Sequence, residues 1–269
     1  MIPKVKLGNE ETPIFTLGTW DIRNKKKMIE TIRYALEIGL NHIDTAEMYG
    51  IAEEVIGEAI KGIAREKIFI TSKVLPHNAS FNGTITACEK SLKKLKSDYI
   101  DLYLLHWYEP YVNLSETFSA FAKLIETGKI RYAGVSNFEI PELNKVTEIF
   151  KPFKIVNNQI EYNLSNFKYV EDKILPFCEK NDITVSGYSP FWQGKIPKGT
   201  KGWKIIEDIA RKYDAKPLQI VLNFLARTGK IILIFKTESI EHLKENLDSI
   251  KIKLEEEDLR KIEETFANY

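Results

Sequence analysis

The chain of 269 residues has little cysteine and almost no net charge. Its two cysteines, Cys88 and Cys178, are far apart and form no Cys-x-x-Cys pattern. We therefore expect a reducing, cytoplasmic location. Lys and Arg total 39 against 38 Asp and Glu, which gives no reason to expect a nucleic acid or an anionic membrane as partner.

Long apolar runs are also lacking. The first fifteen residues have no signal-peptide core, and no run reaches membrane-spanning length. Of the four histidines, His42, His77 and His242 have no ligand spacing with acids or cysteines, so no metal site is expected. With 43% hydrophobic and 29% charged residues, the composition is typical of one globular domain covering residues 1–269, which can bury its core as a monomer.

Apolar runs of strand length alternate with amphipathic stretches of helix length, about every 30 residues. Before them, KVKLGNEETPIF is typical of a β-hairpin that turns at Gly8-Asn9. The predicted strands are Phe15–Gly18, His42–Asp44, Ile68–Lys73, YIDLYLLHW ending at His106, Tyr132–Ser136, Ile155–Ile160, Thr184–Tyr188 and Ile231–Phe235. The predicted helical sections lie within Lys26–Ile38, Ala52–Ile60, Thr84–Leu95, Ser115–Glu126, Pro141–Phe150, Tyr169–Lys180, Lys201–Ala226, Ile240–Leu247 and Glu255–Phe266.

Eight strand–helix pairs predict an α/β fold, a (β/α)8 TIM barrel preceded by a β-hairpin. The alternative on this pattern is an open doubly wound sheet, which usually carries a Gly-x-Gly-x-x-Gly turn after its first strand. Here the first strand is followed by Gly18-Thr19-Trp20-Asp21, without that motif. The barrel is therefore favoured.

Polar and aromatic residues stand at the end of every predicted strand, where a TIM barrel places its chemistry. They are Thr19, Trp20, Asp44, Tyr49, Lys73, His106, Trp107, Ser136, Asn137, Gln159, Tyr162, Tyr188, Lys236 and Thr237. Singly, several have ordinary explanations: Asp44 could cap the next segment, and His106 could be a hydrogen-bonded core residue. Together they predict a site at the barrel mouth.

Four of these residues make chemical sense as one unit. A carbonyl that accepts a hydride needs a proton, and a tyrosine donates slowly at neutral pH unless its pKa is lowered. Lys73 can supply an ammonium that lowers the pKa of Tyr49, and Asp44 can keep that ammonium charged. His106 can orient the carbonyl oxygen through a hydrogen bond.

The chain resembles the aldo-keto reductases from Phe15 to about Leu247. The matching stretches, in the family's order, are GLNHIDTAEMYG, ITSKV, DLYLLHW, YAGVSNF, NNQIEYN and SGYSP. The resemblance implies a catalytic tetrad of Asp44, Tyr49, Lys73 and His106, no metal, and hydride transfer from nicotinamide C4 to an aldehyde or ketone. It also implies nicotinamide and neighbouring cofactor contacts from Gly18, Thr19, Trp20, Ser136, Asn137, Gln159, Tyr188, Ser189 and Phe191.

The resemblance extends to the adenosine end of the cofactor. In IFKTESIEHLKEN, Lys236 and Thr237 match the positions that hold a 2′-phosphate, and Glu245 and Asn246 match those that reach the adenine. The family's arginine is replaced by His242, which lacks a bidentate fork and is often neutral near pH 7. We therefore expect NADP(H) as cofactor, with a weakened preference that also allows NAD(H).

For the substrate, a small carbonyl compound, we expect a pocket of Trp20, Tyr49, His106 and Trp107, with Trp192 from the loop after the seventh strand. The long C-terminal loop of many relatives is expected to be short or missing, which predicts an open site. Two other functions are consistent with the fold: a non-catalytic NADPH-binding redox sensor, and a Schiff-base aldolase with Lys73 as nucleophile.

Overall fold

A computed structural model of the protein describes residues 2–195 and 197–267, so residues 1, 196, 268 and 269 of the expected domain lie outside the description. Two strands pair as an antiparallel hairpin, and eight parallel strands close into a barrel in the order β10-β3-β4-β5-β6-β7-β8-β9. The bounds are β1 Lys4–Leu7, β2 Glu10–Pro13, β3 Phe15–Gly18, β4 His42–Asp44, β5 Phe69–Val74, β6 Ile100–Leu105, β7 Ile130–Ser136, β8 Ile155–Glu161, β9 Thr184–Tyr188 and β10 Ile231–Lys236. The predicted (β/α)8 barrel with its hairpin is confirmed.

Helices follow the barrel strands and cover their outer faces. Their bounds are α1 Lys25–Glu37, α2 Ala52–Ala59, α3 Phe81–Leu95, α4 Leu114–Glu126, α5 Ile140–Ile149, α6 Phe167–Tyr169, α7 Leu175–Lys180, α8 Lys201–Lys212, α9 Pro217–Ala226, α10 Ile240–Asp248 and α11 Glu256–Phe266. A π-helical turn, Val170–Ile174, joins α6 to α7. None of the helices in residues 2–195 and 197–267 has the length and apolar character needed to cross a membrane.

Burial on both faces explains why the barrel strands are continuous apolar runs. Every residue of β5 and β6 is buried, because the barrel interior lies on one side and the helices on the other. The hairpin lies at the N-terminal ends of the strands, where Thr184 Oγ1 donates to the carbonyl of Lys6 at 2.7 Å. Gly8 turns it with φ +61°, and a Cβ there would lie 2.6 Å from the ring of Tyr132.

Several predicted bounds differ from those of the structure, and two of the differences have local reasons. The fourth barrel strand ends at Leu105, one residue before the predicted His106, although the His106 N–H still donates to Val74 O at 2.9 Å. The helical section predicted over Lys201–Ala226 consists of α8 and α9, because Asp214 adopts φ +49° between them and Pro217 starts a new helix.

Candidate active site

The C-terminal ends of the barrel strands surround a cavity of about 850 Å³. Most of the residues singled out from the sequence line it. They are Gly18, Thr19, Trp20, Asp44, Tyr49, His106, Trp107, Ser136, Asn137, Gln159, Tyr188, Ser189, Phe191, Lys236, Thr237 and His242. These residues come from seven of the eight strand ends, all except that of β5, although they are up to about 220 residues apart in sequence.

Lys73 lies fully buried beneath this cavity. Its Nζ donates to Asp44 Oδ1 at 2.7 Å and to the carbonyl oxygen of Thr45 at 2.8 Å. Burial works against the charge of Lys73, but Asp44 and Tyr49 outweigh it, and the pKa of Lys73 is raised above its ordinary value. Lys73 is therefore held as an ammonium ion, as the sequence suggested.

Asp44 uses both of its carboxylate oxygens. Oδ1 accepts from Lys73, and Oδ2 accepts from the side-chain amide of Gln159 at 2.7 Å. Asp44 and Gln159 are both buried, at 3% exposure each. The contact between Gln159 and Asp44 was not foreseen from the sequence, because the two residues are 115 positions apart and only barrel closure brings them together.

Tyr49 stands above the ammonium group. The Nζ of Lys73 is 5.0 Å from the centroid of the Tyr49 ring, and the His106 ring lies edge-on to it at 5.9 Å. Burial raises the pKa of Tyr49 above 10.0, and the charge of Lys73 works against that rise without reversing it. The expectation of a net lowered pKa was therefore wrong for this structure: Lys73 acts in the expected direction, but desolvation of the phenol is the larger effect.

His106 is held as a neutral imidazole. Burial first, and then the positive charge of Lys73, lower its pKa to about 3. Its Nδ1 is buried and has no hydrogen-bond partner among residues 2–195 and 197–267. At neutral pH the ring therefore carries one N–H donor and one acceptor, and its own carbonyl is fixed by a 3.1 Å hydrogen bond from Asn137 Nδ2.

Asn137 and Tyr188 also line the cavity. Asn137 adopts φ +59°, and its N–H donates to Gln159 O at 2.8 Å. Its side-chain oxygen accepts from the Tyr188 hydroxyl at 2.7 Å. Burial raises the pKa of Tyr188 to about 12, so this second tyrosine of the cavity stays neutral and is fixed by its hydrogen bond.

A second cavity of about 470 Å³ adjoins the first, and Phe191, Lys236, Thr237 and His242 line both. Glu245 and Asn246, expected near an adenine, line the second cavity. Lys236 is not free there, because its Nζ donates to Glu238 Oε1 at 2.7 Å. Sequence reasoning did not single out Glu238, although it directly follows the matched positions Lys236 and Thr237.

Trp192, expected in the substrate pocket, lines neither cavity. Its indole N–H donates to Ser165 Oγ at 2.8 Å, and its neighbours Gln193 and Gly194 line the first cavity instead. Among residues 2–195 and 197–267, no group of three or more His, Cys, Asp or Glu side chains is placed to hold a metal ion.

Comparison with known proteins agrees with this geometry. The Aldo/keto reductase family model matches residues 15–266. The chain is 35% identical to a methylglyoxal reductase of Escherichia coli K12 over 96% of this chain and 93% of that protein. It is also 35% identical to an NAD/NADP-dependent indole-3-acetaldehyde reductase of Schizosaccharomyces pombe, over 92% and 88% of the two chains.

A solved structure has the same fold. It is an aldo/keto reductase from Klebsiella pneumoniae in complex with NADP and acetate, with a TM-score of 0.88 and 32% identity, and the match covers 99% of this chain and 96% of that one. The family match spans nearly the whole barrel, and the matched region contains the complete set of Asp44, Tyr49, Lys73 and His106. The chain belongs to the aldo/keto reductase family.

Proposed function

We propose that the protein reduces aldehydes and ketones to alcohols with a nicotinamide cofactor, and that Tyr49 donates the proton. The observation that carries this proposal is the buried Lys73 ammonium, fixed by Asp44 at 2.7 Å and 5.0 Å from the Tyr49 ring. A buried cation costs free energy unless it is paired. Its placement under a phenol stabilises the tyrosinate that is left when Tyr49 gives up its proton.

The cavity residues fit a nicotinamide dinucleotide. The two adjoining cavities give an extended space, with a phenol ring, Tyr188, and the polar side chains of Ser136, Asn137 and Gln159 at one end. Where the two cavities meet, Lys236 lies close to the N-terminus of α10, which Ser239 caps, and the dipole of that helix favours a phosphate there. When bound, a reduced nicotinamide supplies the hydride for such a reduction.

The chain's own residues would then handle the proton and the substrate oxygen. Tyr49 gives its hydroxyl proton to the carbonyl oxygen, and the charge of Lys73 stabilises the resulting phenolate. Asp44, itself held by Gln159, keeps Lys73 protonated and in place. His106 is neutral at pH 7, so its ring N–H positions the carbonyl oxygen without competing as an acid.

Aromatic and apolar side chains around the mouth favour an uncharged or aromatic carbonyl substrate. Trp20 is 47% exposed on the cavity wall, with Met48 and Trp107 beside it. The methylglyoxal reductase and the indole-3-acetaldehyde reductase are named for small and bulky aldehydes, respectively. We infer a broad aldehyde specificity for this chain, and either NADPH or NADH as cofactor. The monomeric state and cytoplasmic location expected from the sequence belong to the same proposal.

The two other functions lack such support. An aldolase needs Lys73 as a neutral amine, whereas Asp44 and Tyr49 raise the pKa of Lys73. A redox sensor that only binds the dinucleotide has no use for an acid with a buried cation beneath it. Measurement of aldehyde turnover distinguishes this sensor from a reductase.

The test is oxidation of NADPH at 340 nm with 4-nitrobenzaldehyde, repeated with NADH, for the wild type and Tyr49→Phe. We expect turnover in the wild type and a loss of about 10²- to 10⁴-fold in kcat in Tyr49→Phe, with cofactor affinity unchanged by calorimetry. A wild type that binds NADPH without turning over any aldehyde would favour the sensor. Equal kcat in both proteins would remove Tyr49 as the acid.

A further inference from the structure

Glu238 joins two loops across the rim of the barrel. Its Oε1 accepts from the backbone N–H of Arg23 at 2.7 Å, and its Oε2 accepts from the backbone N–H of Asn24 at 2.8 Å. Asn24 is the N-cap residue of α1, so Glu238 satisfies backbone donors at the start of that helix. The carboxylate therefore has a fixed position, set by a loop more than 210 residues earlier in the chain.

The same carboxylate pairs with Lys236. The Nζ of Lys236 donates to Glu238 Oε1 at 2.7 Å and to the carbonyl oxygen of Asp21 at 2.8 Å. The two side chains are only 27% and 13% exposed, so solvent screens this pair less than a surface pair. Burial tends to raise the pKa of Glu238, but the contacts with Lys236 and the two N–H groups outweigh it and lower that pKa. The carboxyl is ionised at neutral pH.

Lys236 is the basic residue at the junction of the two cavities, where a dinucleotide's adenosine ribose would pass. The other basic side chain that lines both cavities, His242, is an imidazole in place of a guanidinium. Two further cations that line these cavities are paired with carboxylates: Arg23 with Asp21, and Lys216 with Glu245. Lys27 and Lys198 each line only one of the two cavities and do not stand at their junction. The lysine at the junction is therefore compensated by a carboxylate before any phosphate arrives.

We infer that Glu238 is a specificity-determining residue that neutralises Lys236 and disfavours the 2′-phosphate, so that this chain takes NADH at least as readily as NADPH. The inference rests on the proposed function, because it assumes that a nicotinamide dinucleotide occupies these cavities. A 2′-phosphate placed here would meet the Lys236 ammonium together with the Glu238 carboxylate, rather than the ammonium alone. A ribose 2′-hydroxyl, by contrast, is uncharged and can donate a hydrogen bond to a carboxylate.

The variant that tests this is Glu238→Gln, which removes the charge, keeps one oxygen acceptor for the N–H of Arg23 or Asn24, and replaces the other oxygen with an NH2 group. Dissociation constants of NADP+ and NAD+ are measured by calorimetry, and kcat/KM for NADPH and NADH with 4-nitrobenzaldehyde. We expect the wild type to bind NAD+ at least as tightly as NADP+. In Glu238→Gln the preference for NADP+ over NAD+ should rise by about tenfold or more, equivalent to ~1.4 kcal/mol.

Glu30→Gln is the matched control, because it makes the same change of charge at an exposed position of α1 that lines neither cavity. It is expected to change the affinities for NADP+ and NAD+ by the same factor. Adding Lys236→Met to Glu238→Gln should abolish the gained preference, since the gain acts through the released lysine. A thermal melt of each variant confirms that it is folded.

Two results would overturn the inference: a wild type with a strong preference for NADP+, or a Glu238→Gln variant whose preference equals that of the wild type. Failure of the proposed function has a different signature. In that case neither dinucleotide binds the wild type, or both bind and no aldehyde is reduced.

Discussion

Lys73 Nζ and Asp44 Oδ1 are 2.7 Å apart, and the two side chains are 0% and 4% exposed. Such a pair contributes little net stability by itself, because desolvation of the two charges offsets their attraction. Loss of one partner is different, since it leaves the other charge buried and unpaired. This relationship sets the first expectation.

Asp44→Asn should destabilise the protein by about 3–5 kcal/mol in urea unfolding at pH 7, because Lys73 loses its counter-ion. The double variant Asp44→Asn/Lys73→Met should recover part of that loss, since no buried charge remains. Neither variant should recover aldehyde reduction, which needs the ammonium beneath Tyr49. If the double variant is less stable than the single one, the unpaired charge of Lys73 is not the cause of the loss in Asp44→Asn, and this account of the pair is wrong.

The protein should become less stable as the pH is lowered, and His42 should account for part of this loss. It is buried between the hydroxyls of Thr12, at 3.1 Å, and Thr71, at 2.8 Å. Burial, and then the charge of Lys73, lower its pKa from 6.5 to about 3. Between those two values the unfolded chain binds the proton and the folded chain does not, so this contribution is complete above pH 6.5 and is lost as pH falls towards 3.

The measurement is urea unfolding at pH 7, 6 and 5 for the wild type, His42→Gln and the exposed control His77→Gln. His42 alone should account for a decrease of about 1.4 kcal/mol per pH unit below its unfolded pKa. His42→Gln should therefore show a shallower dependence than the wild type, and His77→Gln should match the wild type. Identical slopes in all three proteins would mean that His42 is already protonated in the folded state.

Gly57→Ala should destabilise the protein, although alanine favours a helix by about 1 kcal/mol over glycine. Gly57 lies in α2 against the end of α3, and a Cβ there would lie 2.5 Å from Lys94 O and 2.9 Å from Leu95 C. Those are backbone atoms of a packed helix and cannot move aside cheaply, so we expect a loss of about 1–3 kcal/mol. Glu54→Ala, at an exposed position of the same helix, is the control. A more stable Gly57→Ala protein would mean that α3 shifts freely.

Trp20→Ala should change substrate selection. The indole is on the cavity wall and 47% exposed, so its removal takes contact area from a bulky substrate and little from a small one. We expect KM for 4-nitrobenzaldehyde to rise about tenfold, or ~1.4 kcal/mol, with a much smaller change for methylglyoxal. Trp192→Ala should have the smaller effect of the two tryptophan variants, because its indole points to Ser165. A larger effect at Trp192 would restore it to the substrate pocket.

Much of the barrel was readable from local pattern. Parallel strands buried on both faces are continuous apolar runs, and the runs ending at Gly18, Asp44 and Ser136 have the observed C-terminal ends. The sequence pattern was less informative where a single residue changes the backbone conformation without any change in the pattern of apolar residues. Asp214 at φ +49°, which separates α8 from α9, is such a place. The start of α3 at Phe81 depends on the Ser80 cap rather than on periodicity.

Part of the candidate site could also be predicted from the sequence, and part could not. Residue type and position at a strand end were enough to single out Asp44, Tyr49, Lys73 and His106, because the barrel topology brings all C-terminal strand ends to one face. The sequence could not show which hydrogen-bond donor pairs with which acceptor. The Gln159 amide on Asp44 and the Glu238 carboxylate on Lys236 are contacts between loops whose neighbours depend on barrel closure.

The sequence by itself determined the fold class, the family and the identity of the four central side chains, since these follow from periodicity, residue type and order along the chain. The tertiary structure decided the charge states and the pairing. Burial makes His106 neutral and outweighs Lys73 in setting the pKa of Tyr49, and proximity across the rim neutralises Lys236. Desolvation and Coulomb energies depend on three-dimensional distances and burial, and no local pattern of residues encodes them.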